Sequence, residues 1–176
     1  MESAFRNMSL ILKNNHFACI WFHELELPIW NIMINAAQKA GLYYIEQTHV
    51  LTSIRSLKPK FTPNPTLTGH VLAFFIKLQD SNVNTKLING YKSEFDLKST
   101  EQMILKIAKK IIEKNGKATT NELYTNKGIG EGGIISTLIK KGVLNLVAQH
   151  YKNLFKIFKK ELYFNQIDGK WYLIKE

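Results

Sequence analysis

Residues 16–23, His16-Phe17-Ala18-Cys19-Ile20-Trp21-Phe22-His23, form a nearly continuous apolar run bracketed by histidines. Such a run predicts a strand buried on both faces, the habit of α/β sheets. Upstream, Ala4, Phe5, Met8, Leu10, Ile11 and Leu12 predict a helix that ends near Lys13-Asn14-Asn15. Downstream, Pro28 suits a first helical turn, and Ile29, Trp30, Met33, Ile34, Ala37 and Ala40 recur at helical steps until Gly41 stops them. Residues 42–51 are rich in Tyr, Ile, Thr and Val and predict a second strand. Three prolines, Pro59, Pro63 and Pro65, mark residues 53–68 as a loop, and Val71-Leu72-Ala73-Phe74-Phe75-Ile76 predicts a third strand. The alternation of helix and strand signals gives an α/β unit over residues 1–78.

The second half has a different texture. Residues 79–98 are polar and irregular, as a linker is. Ser99 with Gln102 has capping-box spacing and opens a helix striped by Ile104, Ile107, Ala108, Ile111 and Ile112, closed at Asn115-Gly116. A second box, Thr119 with Glu122, opens a short helix. The glycine-rich residues 128–133 lie between helices and read as a flexible turn rather than a cofactor loop. Residues 144–160 predict one amphipathic helix, with Val147, Tyr151, Leu154 and Phe158 on one side and Lys152, Lys156, Lys159 and Lys160 on the other. Leu162-Tyr163-Phe164, a turn at Asp168-Gly169 and Trp171-Tyr172-Leu173-Ile174 predict a hairpin. Residues 99–176 thus resemble a basic helical, winged-helix-like domain.

Charge and cysteine content narrow the function. Of 176 residues, 24 are Lys or Arg and 14 Asp or Glu, for a net charge of +10. Residues 1–98 carry +3 of it and residues 99–176 carry +7. Two readings fit: attraction to a phosphate polymer, or the lysine-rich composition of an AT-rich genome. The single Cys19 excludes an internal disulfide and cysteine-rich zinc modules. The absence of a roughly 20-residue apolar stretch and of a signal-like start leads to the expectation of a cytoplasmic chain without membrane contact.

Ala4-Phe5, Leu10-Ile11-Leu12-Lys13, Ile20-Trp21-Phe22-His23, Trp30, Ala40-Gly41-Leu42, residues 52–56 and residues 66–70 follow one another in a telling order. Over Phe5 to Lys77 the chain resembles the C-terminal half of the catalytic domain of adenine-specific DNA methyltransferases, the amino-methylating enzymes with an Asp-Pro-Pro-Tyr motif. The resemblance implies the second half of a Rossmann-like methyltransferase sheet that ends in a reversed strand. It also implies DNA as partner, and S-adenosylmethionine as cofactor of a completed enzyme. The glycine-containing cofactor turn, its acidic partner and the Asp-Pro-Pro-Tyr loop have no counterpart in the sequence. The chain alone is therefore expected to hold no cofactor and to be inactive, with the cofactor-binding half supplied by a second chain, or to be a truncated remnant. Half a sheet also leaves apolar edges and faces uncovered, which invites that second chain or a homo-oligomer.

In an open α/β sheet ligands bind beyond the carboxyl ends of the strands, which makes His23 and Glu24 cleft candidates; a strand-closing His is also a common capping group. The loop residues Arg55, Lys58, Lys60, Thr62 and Asn64 can contact phosphates, and Phe61 can stack on an extruded base. Lys152, Lys156, Lys159 and Lys160 are the second candidate DNA contact, against the reading of a merely solvated face. No His-Glu-x-x-His spacing occurs, and no metal site is expected. The competing function is a noncatalytic DNA-binding or assembly protein that uses its winged-helix-like part for DNA and its α/β part for docking.

Overall fold

The computed structural model describes residues 1–50, 65, 67, 69–78, 95–125 and 133–174. The chain is mixed α and β, with two small antiparallel sheets. In the first half, α1 (Glu2–Ile11), β1 (Phe17–Phe22), α2 (Leu27–Lys39), β2 (Leu42–Val50) and β3 (His70–Lys77) occur in the order the sequence predicts. The sheet order is β1-β3-β2, and β3 runs antiparallel to both neighbours. β1 and β2 therefore point the same way, joined by α2, with the reversed last strand inserted between them.

Both helices lie on one face of this sheet. Phe5 of α1 meets Phe75 of β3 edge-on at 5.9 Å between ring centres, and Trp30 of α2 meets Phe22 of β1 at 4.7 Å. Ala18, Val71, Ala73, Phe75, Leu42 and Tyr44 are buried beneath them. β1 departs from its sequence expectation of burial on both faces: Phe17 is 64% exposed and Trp21 59% exposed. Among the described residues it is an edge strand, paired only with β3 and covered by helices on one side, so every second side chain faces outward.

In the second half, α3 (Leu97–Asn115) starts two residues before the expected Ser99 cap. Asp96 is the N-cap, its carboxylate accepting the Ser99 N–H at 2.7 Å, and Gly116 closes the helix at φ +73°. β4 (Ala118–Thr119) and α4 (Thr120–Thr125) follow. The Thr119–Glu122 box forms as its spacing predicts, with Thr119 N–H donating to Glu122 Oε2 at 2.8 Å and Glu122 N–H to Thr119 Oγ1 at 3.2 Å. α5 (Gly133–Lys140) comes next.

The single helix expected over residues 144–160 is two: α6 (Leu144–His150) and α7 (Phe155–Phe158). Tyr151 is extended at φ −133° and ψ 127°. Tertiary and local polar partners hold the break open: Leu154 N–H donates to the Tyr124 hydroxyl, Phe155 N–H to the Asn153 side chain, and the Lys152 carbonyl accepts Leu27 N–H. The hairpin of β5 (Leu162–Asn165) and β6 (Lys170–Leu173) is present, and two-residue β4 joins it in the order β4-β6-β5.

The halves share one hydrophobic core. Tyr124 is buried at their junction, its hydroxyl reaching the Leu25 carbonyl at 3.4 Å while accepting from Leu154. Asn121 of α4 donates to His49 of β2 at 2.6 Å, and Asn31 of α2 to Asn145 of α6 at 3.0 Å. The expected linker lies largely outside the described residues.

Candidate functional site

The face of the first sheet opposite α1 and α2 is apolar and carries no helix among the described residues. The β register brings its side chains into rows: Phe17, Ile76 and Tyr43; Cys19, Phe74 and Glu46; Trp21, Leu72 and Thr48. The β1 members are exposed and the β3 members half-buried. The outer edge of β1 has no strand beside it in this sheet. Leu10 and Ile11, at the end of α1, are exposed as well. Exposed apolar side chains beside a strand edge that is open among the described residues are a feature of association surfaces in general.

At the carboxyl end of β1, three rings gather. His70, the first residue of β3, lies 5.0 Å from Trp21 and 5.4 Å from His23, centre to centre. His23 donates through Nδ1 to the Gly69 carbonyl at 2.5 Å, which fixes its ring. His70 Nδ1 is buried with no hydrogen-bond partner among the described residues. The rings are inclined to one another, by 52° between Trp21 and His70 and 62° between His23 and His70, and Trp21 and His23 are exposed. His70 was not singled out by the sequence reading, because its approach to Trp21 and His23 depends on the β1–β3 register. A histidine at the start of an apolar strand gives no sign of that pairing.

Glu24, the second cleft candidate, is occupied in shaping the chain. Its carboxylate accepts the N–H groups of Leu25 and Glu26 at 2.7 and 2.9 Å, and its carbonyl accepts the Trp30 indole N–H at 2.9 Å. These bonds turn the chain from β1 into α2, a structural task for the carboxylate.

The four candidate lysines of residues 152–160 do not form one basic face. Lys152 pairs with Glu26 at 2.8 Å, and Lys160 pairs with the largely buried Glu101 carboxylate, to which the Tyr151 hydroxyl also donates. Both bonds hold the Glu101 carboxyl below the usual glutamate range, Lys160 contributing the larger share. Lys156 and Lys159 are exposed. Arg55, Lys58, Lys60, Phe61, Thr62 and Asn64 lie outside the described residues, as does most of the glycine-rich stretch 128–133. Among the described residues no three His, Cys, Asp or Glu side chains converge in a way that could hold a metal ion. No helix among them is long and apolar enough to cross a membrane.

No protein-family model, curated protein or solved structure matches the chain.

Proposed function

We propose that the chain supplies the C-terminal part of a DNA adenine methyltransferase and works with a second polypeptide that brings the S-adenosylmethionine-binding half. The observation that carries this reading is the apolar face and β1 edge that are uncovered among the described residues. Such a surface is what a divided sheet leaves behind, and a further strand along β1 would satisfy its backbone groups. The reversed β3 agrees with the last strand that the sequence resemblance implies, and α1, β1, α2 and β2 precede it in the implied order. In the completed enzyme S-adenosylmethionine would supply the methyl group. This chain's own residues would close one side of the cleft at the carboxyl end of β1, where the rings of Trp21, His70 and His23 gather.

The second half supports the DNA-binding part of the reading through its order. α3, β4, α4, α5 and the β5–β6 hairpin, with the sheet order β4-β6-β5, resemble the element order of winged-helix modules, with α6 and α7 added before the hairpin. Its departure lies in α5. The second helix of a helix-turn-helix pair ordinarily enters the major groove. Here Ile134, Ile135, Ser136 and Leu138 of α5 are buried, and Ser136 lies against Tyr44 of β2.

The test is co-expression with a neighbouring reading frame that encodes the glycine turn and Asp-Pro-Pro-Tyr elements. Co-purification and methyl transfer to adenine in DNA are expected only when both chains are present. Replacing Phe17 and Trp21 together by Ser should abolish the co-purification while leaving the circular dichroism of the isolated chain intact. One-to-one binding of S-adenosylmethionine to the chain alone, seen by calorimetry, would refute the divided-enzyme reading and favour an independent function.

A further inference from the structure

We infer that the exposed ridge of α3, and not the lysines of residues 152–160, is the surface through which this chain holds duplex DNA; the inference rests on the DNA-binding reading above. Lys98, Gln102, Lys106, Lys110 and Lys114 succeed one another at four-residue steps, and all five are exposed. Residues so spaced follow one inclined ridge on the helix surface, each about 6 Å along the axis and about 40° around it from the last, so that Lys106, Lys110 and Lys114 share one side and Lys98 stands toward its flank. The row contains four cations and no acid.

Two of its steps join like charges. Lys106, Lys110 and Lys114 are like charges at i, i+4, an arrangement that destabilises an isolated helix and that a bound polyanion relieves. The helix C-terminus favours cations, which accounts for Lys114, but Lys98 and Lys106 lie in the first and middle turns, beyond the reach of that effect. Two nearby acids are engaged elsewhere, Glu101 by Lys160 and Tyr151 and Glu161 by Lys109, while the exposed Asp96 close to Lys98 caps the helix by accepting the Ser99 N–H. Glu113 is the one carboxylate of α3 left exposed beside the row. Beyond the helix the ridge ends at Lys117, which pairs with Asp168 at 3.6 Å and lies 5.8 Å from the Tyr172 ring.

By contrast, the lysines of residues 152–160 are divided between two helices and a break, and two of the four already hold carboxylates. The ridge also compensates for the burial of α5, the helix that the winged-helix order would otherwise offer to DNA. Four ammonium groups without hydrogen-bonded anchors favour contact with phosphates over base reading, so the ridge binds without sequence preference.

The experiment is fluorescence anisotropy on the full chain with a labelled duplex over a range of salt concentrations. Three proteins are compared: the unaltered chain, K98Q/K106Q/K110Q/K114Q, and K156Q/K159Q. Glutamine keeps nearly the helix propensity of lysine, so unchanged circular dichroism is expected throughout. In the ridge variant the slope of log affinity against log salt should shrink by about 3 to 4, near 0.9 per lost phosphate contact, and affinity should fall at least tenfold. E113Q should tighten binding. If the unaltered chain binds with a steep salt slope that the ridge variant retains and K156Q/K159Q loses, the ridge is overturned while DNA binding stands. If the unaltered chain shows no salt-dependent binding, both fail. Equal or tighter ridge-dependent binding to phosphatidylserine vesicles would also overturn the assignment, in favour of a membrane surface.

Discussion

Single side chains at the junction of the two halves carry more than their size suggests. The Tyr124 hydroxyl is the acceptor for a buried Leu154 N–H that has left the helical ladder at the α6–α7 break. Tyr124→Phe removes that acceptor without changing the packing of the ring against Phe155 and Phe158. A buried donor stripped of its partner costs about 1–3 kcal/mol. The urea midpoint should fall accordingly, and unchanged stability would show that Leu154 finds another acceptor. Glu101 makes the same kind of link by charge. Its carboxyl is held below the ordinary range, so its contribution is complete above the unfolded-state value of about 4.3 and is lost as pH falls through the lower folded value. Glu101→Gln should lower stability at neutral pH and flatten this acid limb of the urea midpoint against pH. An acid limb of undiminished steepness would place the titration on another group.

The elements differ in how far the sequence could reveal them. The Thr119–Glu122 box was legible because both partners lie within four residues, and the geometry realises both of its bonds. Thr119→Ala should cost about 1 kcal/mol in thermal unfolding, whereas Glu122→Gln, which can still reach back to the Thr119 N–H, should cost less. The α6–α7 break was not legible: periodicity runs on through residues 151–154, and the acceptor that interrupts the helix comes from Tyr124, thirty positions away. β4 was missed for the opposite reason, since two residues carry no pattern and only pairing with β6 makes Ala118–Thr119 a strand. For β1 the apolar run correctly indicated a strand. It could not say that only one face would find cover, because a strand awaiting a neighbour and a strand that has one share a composition. His23 and Glu24 stood out by their place at a strand end, while His70 required knowledge of register.

At the scale of the molecule, one core spans both halves, and the sheet face opposite α1 and α2 is left uncovered among the described residues. Burying an exposed side chain such as Phe17 is worth about 2 kcal/mol, so several aromatic and aliphatic groups together can drive stable association. Sedimentation of the isolated chain should show concentration-dependent self-association that Phe17→Ser with Trp21→Ser reduces. A monomer indifferent to concentration would mean that the face tolerates water. The element order was readable from sequence across most of this architecture, whereas the contacts that fuse the halves, Asn121 with His49 and Asn31 with Asn145, join residues more than seventy positions apart and leave no local trace. The bare β1 flank also has a bearing on supply in the cell. A subunit that reaches the ribosome's exit with a greasy border is prey to chaperones and proteases until it is claimed. On the divided-enzyme proposal, its lifetime in a pulse–chase should lengthen when the proposed second chain is made alongside it, tying the abundance of one gene product to the synthesis of another.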